Sequence, residues 1–224
     1  MSGREAVLAK VRAALRPPAD DAARRHAVAA RLAETPRGLI PARAQVPAKE
    51  RVALFCKMAE KLSATVEHVG RADQVPTAVS EYLRGRNLPS SVRMGSDPRL
   101  RAMPWSRQKA LEVLGGPSDG YDEAGVSHAA AGVAETGTLV MTSGAENPST
   151  VNFLPEHHIV VVDAADVTGD METVFSRIRA TYGKGVMPRT LNFISGPSRS
   201  GDVEQKIILG AHGPRALHII VVDG

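Results

Sequence analysis

One cysteine, few aromatic residues and no long apolar run are what this chain of 224 residues has least of. Cys56 alone cannot form a disulfide within the chain, and it cannot supply the set of thiolates that holds an iron–sulphur cluster. Any electron transfer must therefore run through another protein. The longest apolar stretches, 159–162 and 219–222, fall far short of the roughly 20 residues that span a bilayer, and no secretory apolar segment follows Met1. A cytoplasmic protein without a membrane span is expected. Three signatures are also missing: G-x-G-x-x-G after a strand, G-x-x-x-x-G-K-[ST] and G-x-S-x-G. Nucleotide-binding and esterase chemistries lose weight with them. Excess charge is small as well, since 28 Lys and Arg against 24 Asp and Glu leave +4 with 4% aromatics. That balance suits an acidic small ligand or partner as readily as nucleic acid, which is the least favoured of the function classes.

What is present divides into an arm and an α/β region. Residues 4–15 place Val7, Leu8, Val11 and Leu15 on one helical face, and 22–32 continue the helical character after a break at Pro17 and Pro18. Such an arm folds back on its own domain or lies across a partner subunit. Its Arg- and Ala-rich composition resembles a transit peptide, against which Glu5, Asp20 and Asp21 count. Pro36, Gly38, Pro41 and Pro47 mark a linker, giving an arm with linker over 1–47 and an α/β domain over 48–224. Within that domain the pattern predicts helices over 49–62, 76–86, 170–182 and 202–209. Strands are predicted over 64–69, 91–94, 138–142, 158–163, 191–195 and 217–223. Their alternation implies a mainly parallel or mixed sheet with helices on both faces.

The densest chemical signal follows the 191–195 strand, where Ser195, Gly196, Pro197, Ser198 and Arg199 make a turn ahead of Asp202 and Gln205, spaced as a capping box. A helix start leaves backbone N–H groups unpaired and carries positive dipole character, so this loop, with its arginine, suits a phosphate or carboxylate. A plain helix cap with a surface arginine would use the same residues. If the strand runs parallel to 217–223, the loop lies at the carboxyl edge of the sheet, where open α/β folds bind ligands. His212, Gly213, Pro214 and Arg215 would then sit at the opposite edge, as a tight turn or partner contact.

A second cluster runs from Gly125 to Val140 and is crowded with small residues, which permit close approach of backbone or ligand. Glu135 stands in it just before the turn at Thr136 and Gly137, placed to act as a general base, to accept from a ligand hydroxyl, or to cap backbone N–H groups. Ser143 and Gly144, closing the next strand, offer donors to the same ligand or form an ordinary turn. His157 and His158 are adjacent, so in a strand they point to opposite faces and cannot share a metal; no metal site is assigned. His218 reads as a core histidine.

Taken in order, Ala-Glu-Thr-Gly-Thr-Leu-Val at 134–140, Leu-Pro-x-x-His-Ile at 154–159, Ile-Ser-Gly-Pro-Ser-Arg at 194–199, Asp-Val-Glu at 202–204 and His-Gly-Pro-Arg at 212–215 resemble the lactate utilization protein C family of LUD-domain proteins. The likeness covers the C-terminal half. Ser200 and Gly201 depart from the family pattern, and 145–150 lack the basic residues of many relatives. The resemblance implies a fold similar to the sugar-phosphate isomerase and coenzyme A transferase superfamily. It also implies membership of a system that oxidises L-lactate to pyruvate, with iron–sulphur clusters in partner subunits and no cofactor in this chain. Two readings follow. In one the chain is an accessory subunit that binds a small anionic ligand through Thr136, Gly137, Ser143, Gly144, Ser195, Gly196, Ser198 and Arg199. In the other it is an autonomous isomerase- or transferase-like enzyme acting on a phosphorylated or acyl substrate, with Glu135 catalytic.

Overall fold

Residues 2–15, 21–201 and 207–224 are described by a computed structural model. They divide into two units, Met1–Leu39 and Ile40–Gly224. The first contains α1 (Gly3–Leu15) and α2 (Ala22–Glu34), neither of which buries a residue. The apolar stripe of α1, formed by Val7, Leu8, Val11 and Leu15, is exposed. At the head of α2, Asp21 accepts hydrogen bonds from Arg24 at 2.9 Å and Arg25 at 3.2 Å.

The second unit opens with α3 (Ala48–Lys61), which has Glu50 in its first turn and Lys61 in its last, both favourable to the helix dipole. Its buried side carries Phe55, Cys56 and Ala59. Next come β1 (Thr65–Val69), α4 (Val75–Gly85), β2 (Ser91–Met94), the single turn α5 (Pro98–Arg101), β3 (Glu112–Gly115) and β4 (Ala124–His128). They are followed by β5 (Ala131–Val133), β6 (Thr138–Thr142), α6 (Ser149–Phe153), β7 (His157–Asp163), β8 (Val167–Thr168) and α7 (Met171–Tyr182). The last elements are β9 (Leu191–Ile194), β10 (Arg199–Gly201), β11 (Ile207–Leu209) and β12 (Ala216–Val222).

Six strands in the order β1-β12-β7-β4-β2-β3 pair in parallel throughout. Period-two alternation divides their side chains between two cores. Ile159, Val161, Ile220 and Val222 pack on one face with Val75, Val79 and Leu83 of α4. Val160, Val162, Ile219 and Val221 pack on the other with Phe55 of α3 and with Leu139 and Met141 of β6. Burial on both faces explains why the central strands are unbroken apolar runs.

The parallel or mixed α/β architecture expected from the sequence is present, but the second face of the main sheet is covered by another sheet as well as by a helix. That sheet has the order β8-β5-β6-β9, with β5–β6 and β6–β9 antiparallel. Val174 and Ile178 of α7 pack on its far side against Val133 and Val140. A parallel crossover needs about a dozen residues, and the tight turn at 134–137, closed by Gly137 N–H to Val133 O at 2.9 Å, cannot supply them. The strand at Leu191–Ile194 pairs antiparallel with β6 and so lies in a different sheet from β12, which corrects the parallel arrangement expected for the two.

The helix expected over 202–209 is the second correction. Arg199–Gly201 pairs antiparallel with Ile207–Leu209, so the end of that stretch is strand, as suits its β-branched isoleucines. Asp202 and Gln205, the expected capping pair, lie outside the described residues. No helix among the described residues is long and apolar enough to cross a membrane.

Candidate functional site

The structure distributes the residues singled out in the sequence among three places. Glu135 is buried, and its Oε1 accepts the Met171 N–H at 3.1 Å. Asp170 completes this cap of α7 by accepting the Thr173 N–H at 2.7 Å. Gly137 is buried against the backbone of Met58 and Ala59 in α3. Thr136 and Thr138 share a hydroxyl contact of 2.7 Å, and Thr138 shares another of 2.7 Å with Ser195. A chain of hydroxyls thus joins the β5–β6 turn to the end of β9.

Ser143 and Gly144 lie elsewhere. The Ser143 hydroxyl accepts the Thr190 N–H at 2.8 Å, and both residues border a hollow shared with Asp97, Arg99 and Asn147, beyond the carboxyl end of β2. Asp97 receives Arg99 Nη2 at 2.9 Å and Asn147 Nδ2 at 3.0 Å. Burial opposes the charge on Asp97, but the hydrogen bonds from Arg99 and Asn147 outweigh it and hold the carboxyl down to about 2. This hollow is polar, charged and internally paired.

Ser195, Gly196, Pro197 and Ser198 border a cleft of about 210 Å³ with Asn152, His158, Leu217 and, from the turn before β12, His212, Gly213 and Pro214. At about 30 Å³ per water, such a volume holds a small organic acid or a few waters. The expectation that separated 212–215 from the loop is therefore corrected. Because β9 belongs to the second sheet, its carboxyl end meets the amino ends of β7 and β12, and the cleft opens at the amino edge of the main sheet rather than the carboxyl edge. Backbone bonds fix the junction, with Ser198 N–H to Pro214 O at 2.8 Å and Gly210 N–H to Ser198 O at 3.0 Å. Gly196 turns the chain at φ +77°, where a Cβ would collide with the Leu62 carbonyl oxygen.

Arg199 stands just outside this lining. Its guanidinium donates to the Leu62 carbonyl at 2.9 Å and to the Ser63 hydroxyl. A cation at the last carbonyls of α3 is favourable to the helix dipole, so Arg199 tethers the loop to that helix end. Among the described residues no lysine or arginine borders the cleft. Arg215 turns instead to Glu156, at 3.0 Å.

The floor of the cleft contains groups that sequence reasoning did not assign to a site. Gly125 in β4 lets α6 approach closely, since a Cβ there would lie 2.6 Å from the Val151 carbonyl oxygen. Asn152 is thereby set over Ser127, whose hydroxyl donates to Asn152 Oδ1 at 2.6 Å. His158 Nε2 meets the same Ser127 oxygen at 3.1 Å. Complete burial drives the His158 imidazole down to about 3, so it is neutral near pH 7. Its neighbour His157 points the other way, to the Tyr82 hydroxyl at 2.9 Å. That alternation was the legible signal; burial of His158 beside the loop was not. Elsewhere, His218 stacks on Tyr82 at 4.3 Å and contacts the Thr65 hydroxyl at 2.8 Å. Among the described residues no group of three His, Cys, Asp or Glu is placed to hold a metal ion.

Residues 52–222 match the LUD domain family. The chain is 38% identical over 101 residues to lactate utilization protein C of Geobacillus thermodenitrificans (strain NG80-2), covering 44% of this chain and 42% of that protein. Against lactate utilization protein C of Bacillus subtilis (strain 168) it is 34% identical over 101 residues, with the same 44% and 42% coverage. The match thus spans less than half the length of these curated relatives. A crystal structure of a duf162 family protein from Deinococcus radiodurans superposes with a TM-score of 0.60 at 20% identity, covering 80% of this chain and 99% of that one. This last likeness concerns the fold alone.

Proposed function

We propose, from the premise that this chain belongs to the LUD domain family, that it is a cytoplasmic accessory component of a system oxidising L-lactate to pyruvate. In this reading it binds a small anionic metabolite in the cleft at the amino edge. The observation that carries the proposal is the convergence on one cleft of 195–198 and 212–214, segments that also carry the family resemblance. Ser195 and Ser198 supply hydroxyls, Gly196 and Gly213 bring backbone close, and His212 stands at the same wall. Arg199 acts indirectly by holding the loop on α3, and Thr136 acts through Thr138. Ser143 and Gly144 serve the separate hollow beside Asp97.

Iron–sulphur chemistry is assigned to partner subunits. The donor set here does not fit a cluster: Cys56 is the only cysteine, and burial pushes its thiol up to about 11, away from the thiolate that ligates metal. The two-sheet fold is compatible with the isomerase and coenzyme A transferase superfamily, but Glu135 caps α7, so the autonomous-enzyme reading gains no support from it.

Lactate-dependent dye reduction tests the proposal. The purified chain should give none, with activity appearing only when iron–sulphur partners are added; turnover by the chain alone would sink the accessory reading. In a thermal shift assay L-lactate or pyruvate should raise the melting temperature, since a ligand of the folded state stabilises it by mass action.

A further inference from the structure

β9 is an outer strand of the second sheet and pairs with β6 alone. Ser143 N–H meets Thr190 O at 3.1 Å, so the alternation of an antiparallel ladder turns the backbone groups of Asn192 and Ile194 toward β6 and those of Leu191 and Phe193 outward. The outward groups have no hydrogen-bond partner among the described residues. Such an edge is a template for another strand, and folded proteins blunt their edges with charge or brevity. The other outer strands of the two larger sheets follow that rule: β1 carries Glu67 and His68, β3 begins with Glu112, and β8 has two residues. β9 does not. Its sequence Leu-Asn-Phe-Ile has no charge, and Phe193 is 38% exposed. Exposed apolar groups adjoin it, since Val186 and Met187 precede the strand and Phe153 borders the cleft together with Phe193.

We propose that β9 pairs antiparallel with β9 of a second copy of this chain, about a twofold axis through Asn192. Leu191 of each copy then faces Phe193 of the other, and the outward N–H and C=O groups of both residues bond across the axis. The edge is thus complementary to itself. The pairing buries no charge from the strand, sets an aliphatic side chain beside a ring that already meets Phe175 at 5.7 Å, and closes without leaving a free edge to recruit a third copy. The same register, continued past the strand, places Arg189 of the second copy opposite Ser195. Arg189 is exposed, and the cleft beside Ser195 has no lysine or arginine of its own among the described residues. The second copy therefore brings a guanidinium to the 195–198 loop, the group best shaped to receive a carboxylate. This last step rests on the proposed reading of the cleft as an anion site; the pairing of β9 does not.

Sedimentation velocity of the full chain tests the pairing. The wild type should run as a dimer at tens of micromolar. Leu191→Pro, which removes an N–H that the single chain leaves unused, and Phe193→Lys, which charges the edge, should run as monomers with unchanged far-ultraviolet circular dichroism. Oxidative cross-linking in a Cys56→Ala background reads the register. Asn192→Cys meets its own copy across the axis at about 4.5 Å between Cα atoms, within reach of a disulfide, and should give a covalent dimer. Ile194→Cys, whose counterpart is Thr190, should not. A monomeric wild type, a dimer that survives both edge variants, or equal cross-linking at 192 and 194 would overturn the pairing. Calorimetric titration of L-lactate and pyruvate reads the contribution of Arg189: Arg189→Ala should stay dimeric and bind about tenfold more weakly, the worth of one charge-assisted hydrogen bond. Unchanged affinity in that variant would overturn the completion of the cleft by the second copy. Binding by a monomeric wild type would remove the inference and leave the cleft reading intact, whereas a dimer that binds neither acid would remove the cleft reading and leave the pairing.

Discussion

The two edges of the main sheet handle polarity in opposite ways. At the carboxyl edge, Asp97 is buried with full charge, and Arg99 and Asn147 hydrogen-bond to it at 2.9–3.0 Å. At the amino edge, Ser127, Asn152 and His158 are buried without net charge, and one acceptor is left over. The charged group at the carboxyl edge has its hydrogen bonds met, whereas the neutral network at the amino edge keeps one acceptor unmet. Charge density alone directs attention to the carboxyl edge.

The largest expected effect that would sharpen this contrast is the acid lability of the amino edge. His158 titrates at about 3 in the folded chain and near the ordinary 6.5 when unfolded, so the unfolded state takes up the proton first. Stability from the neutral ring is complete above pH 6.5 and is lost as pH falls toward 3, by about 4 kcal/mol. Urea melts across that range should show this slope, and His158→Gln should flatten it. Burial also holds His218 at about 4, and it adds to the same slope at the neighbouring strand pair without depending on the cleft.

Asp97→Ala comes next and probes the opposite edge. It strands Arg99, which is partly exposed, so the cost should be about 3 kcal/mol, at the low end for breaking a buried pair. Asp97 titrates at about 2, below the ordinary carboxylate, so its contribution holds above pH 4 and fades only as pH falls through 2. The amino edge therefore begins to lose stability from about pH 6.5 downward, the carboxyl edge only below about pH 4. If acid melts of wild type and Asp97→Ala have the same shape below pH 4, the paired-charge account of that edge is wrong.

Gly125→Ala should cost about 2 kcal/mol through overpacking against Val151, and by displacing α6 it should weaken L-lactate binding at the amino edge alone. Denaturation together with titration measures both. The smallest effect belongs to Glu135→Gln, which keeps a hydrogen-bonding side chain at the start of α7 and removes only its charge. A loss of about 0.5–1 kcal/mol with ligand affinity unchanged is expected. A large drop in affinity would instead return Glu135 to the site.

Hydrophobic pattern made most elements legible. The strands at Ser91–Met94 and Thr138–Thr142 occupy the expected positions, and β7, β9 and β12 differ from expectation by a residue at one or both ends. β4 escaped notice because Ala124–His128 is built from small and polar residues, yet every one of them is buried. Its neighbours decide its state, and local propensity does not. Site geometry was less legible for a related reason. The loop at 195–198 announces itself through Ser, Gly and Pro, but which sheet edge it reaches depends on the direction of β9, set by pairing with β6 far away in sequence. His158 was read as one of two divergent strand histidines, and its bond to Ser127 spans 31 residues.

The hydroxyl chain from Thr136 through Thr138 to Ser195 has a further consequence. Either oxygen of each pair can be the donor, so the chain admits two opposite proton orderings. An anion at the mouth of the cleft that draws the Ser195 proton outward obliges Thr138 to donate to Ser195, and Thr136 to donate to Thr138. Three dipoles then align toward the anion, each strengthening the next. Occupancy of the cleft is in this way written into the polarity of the turn beside Glu135, at the head of α7, without displacing a single heavy atom.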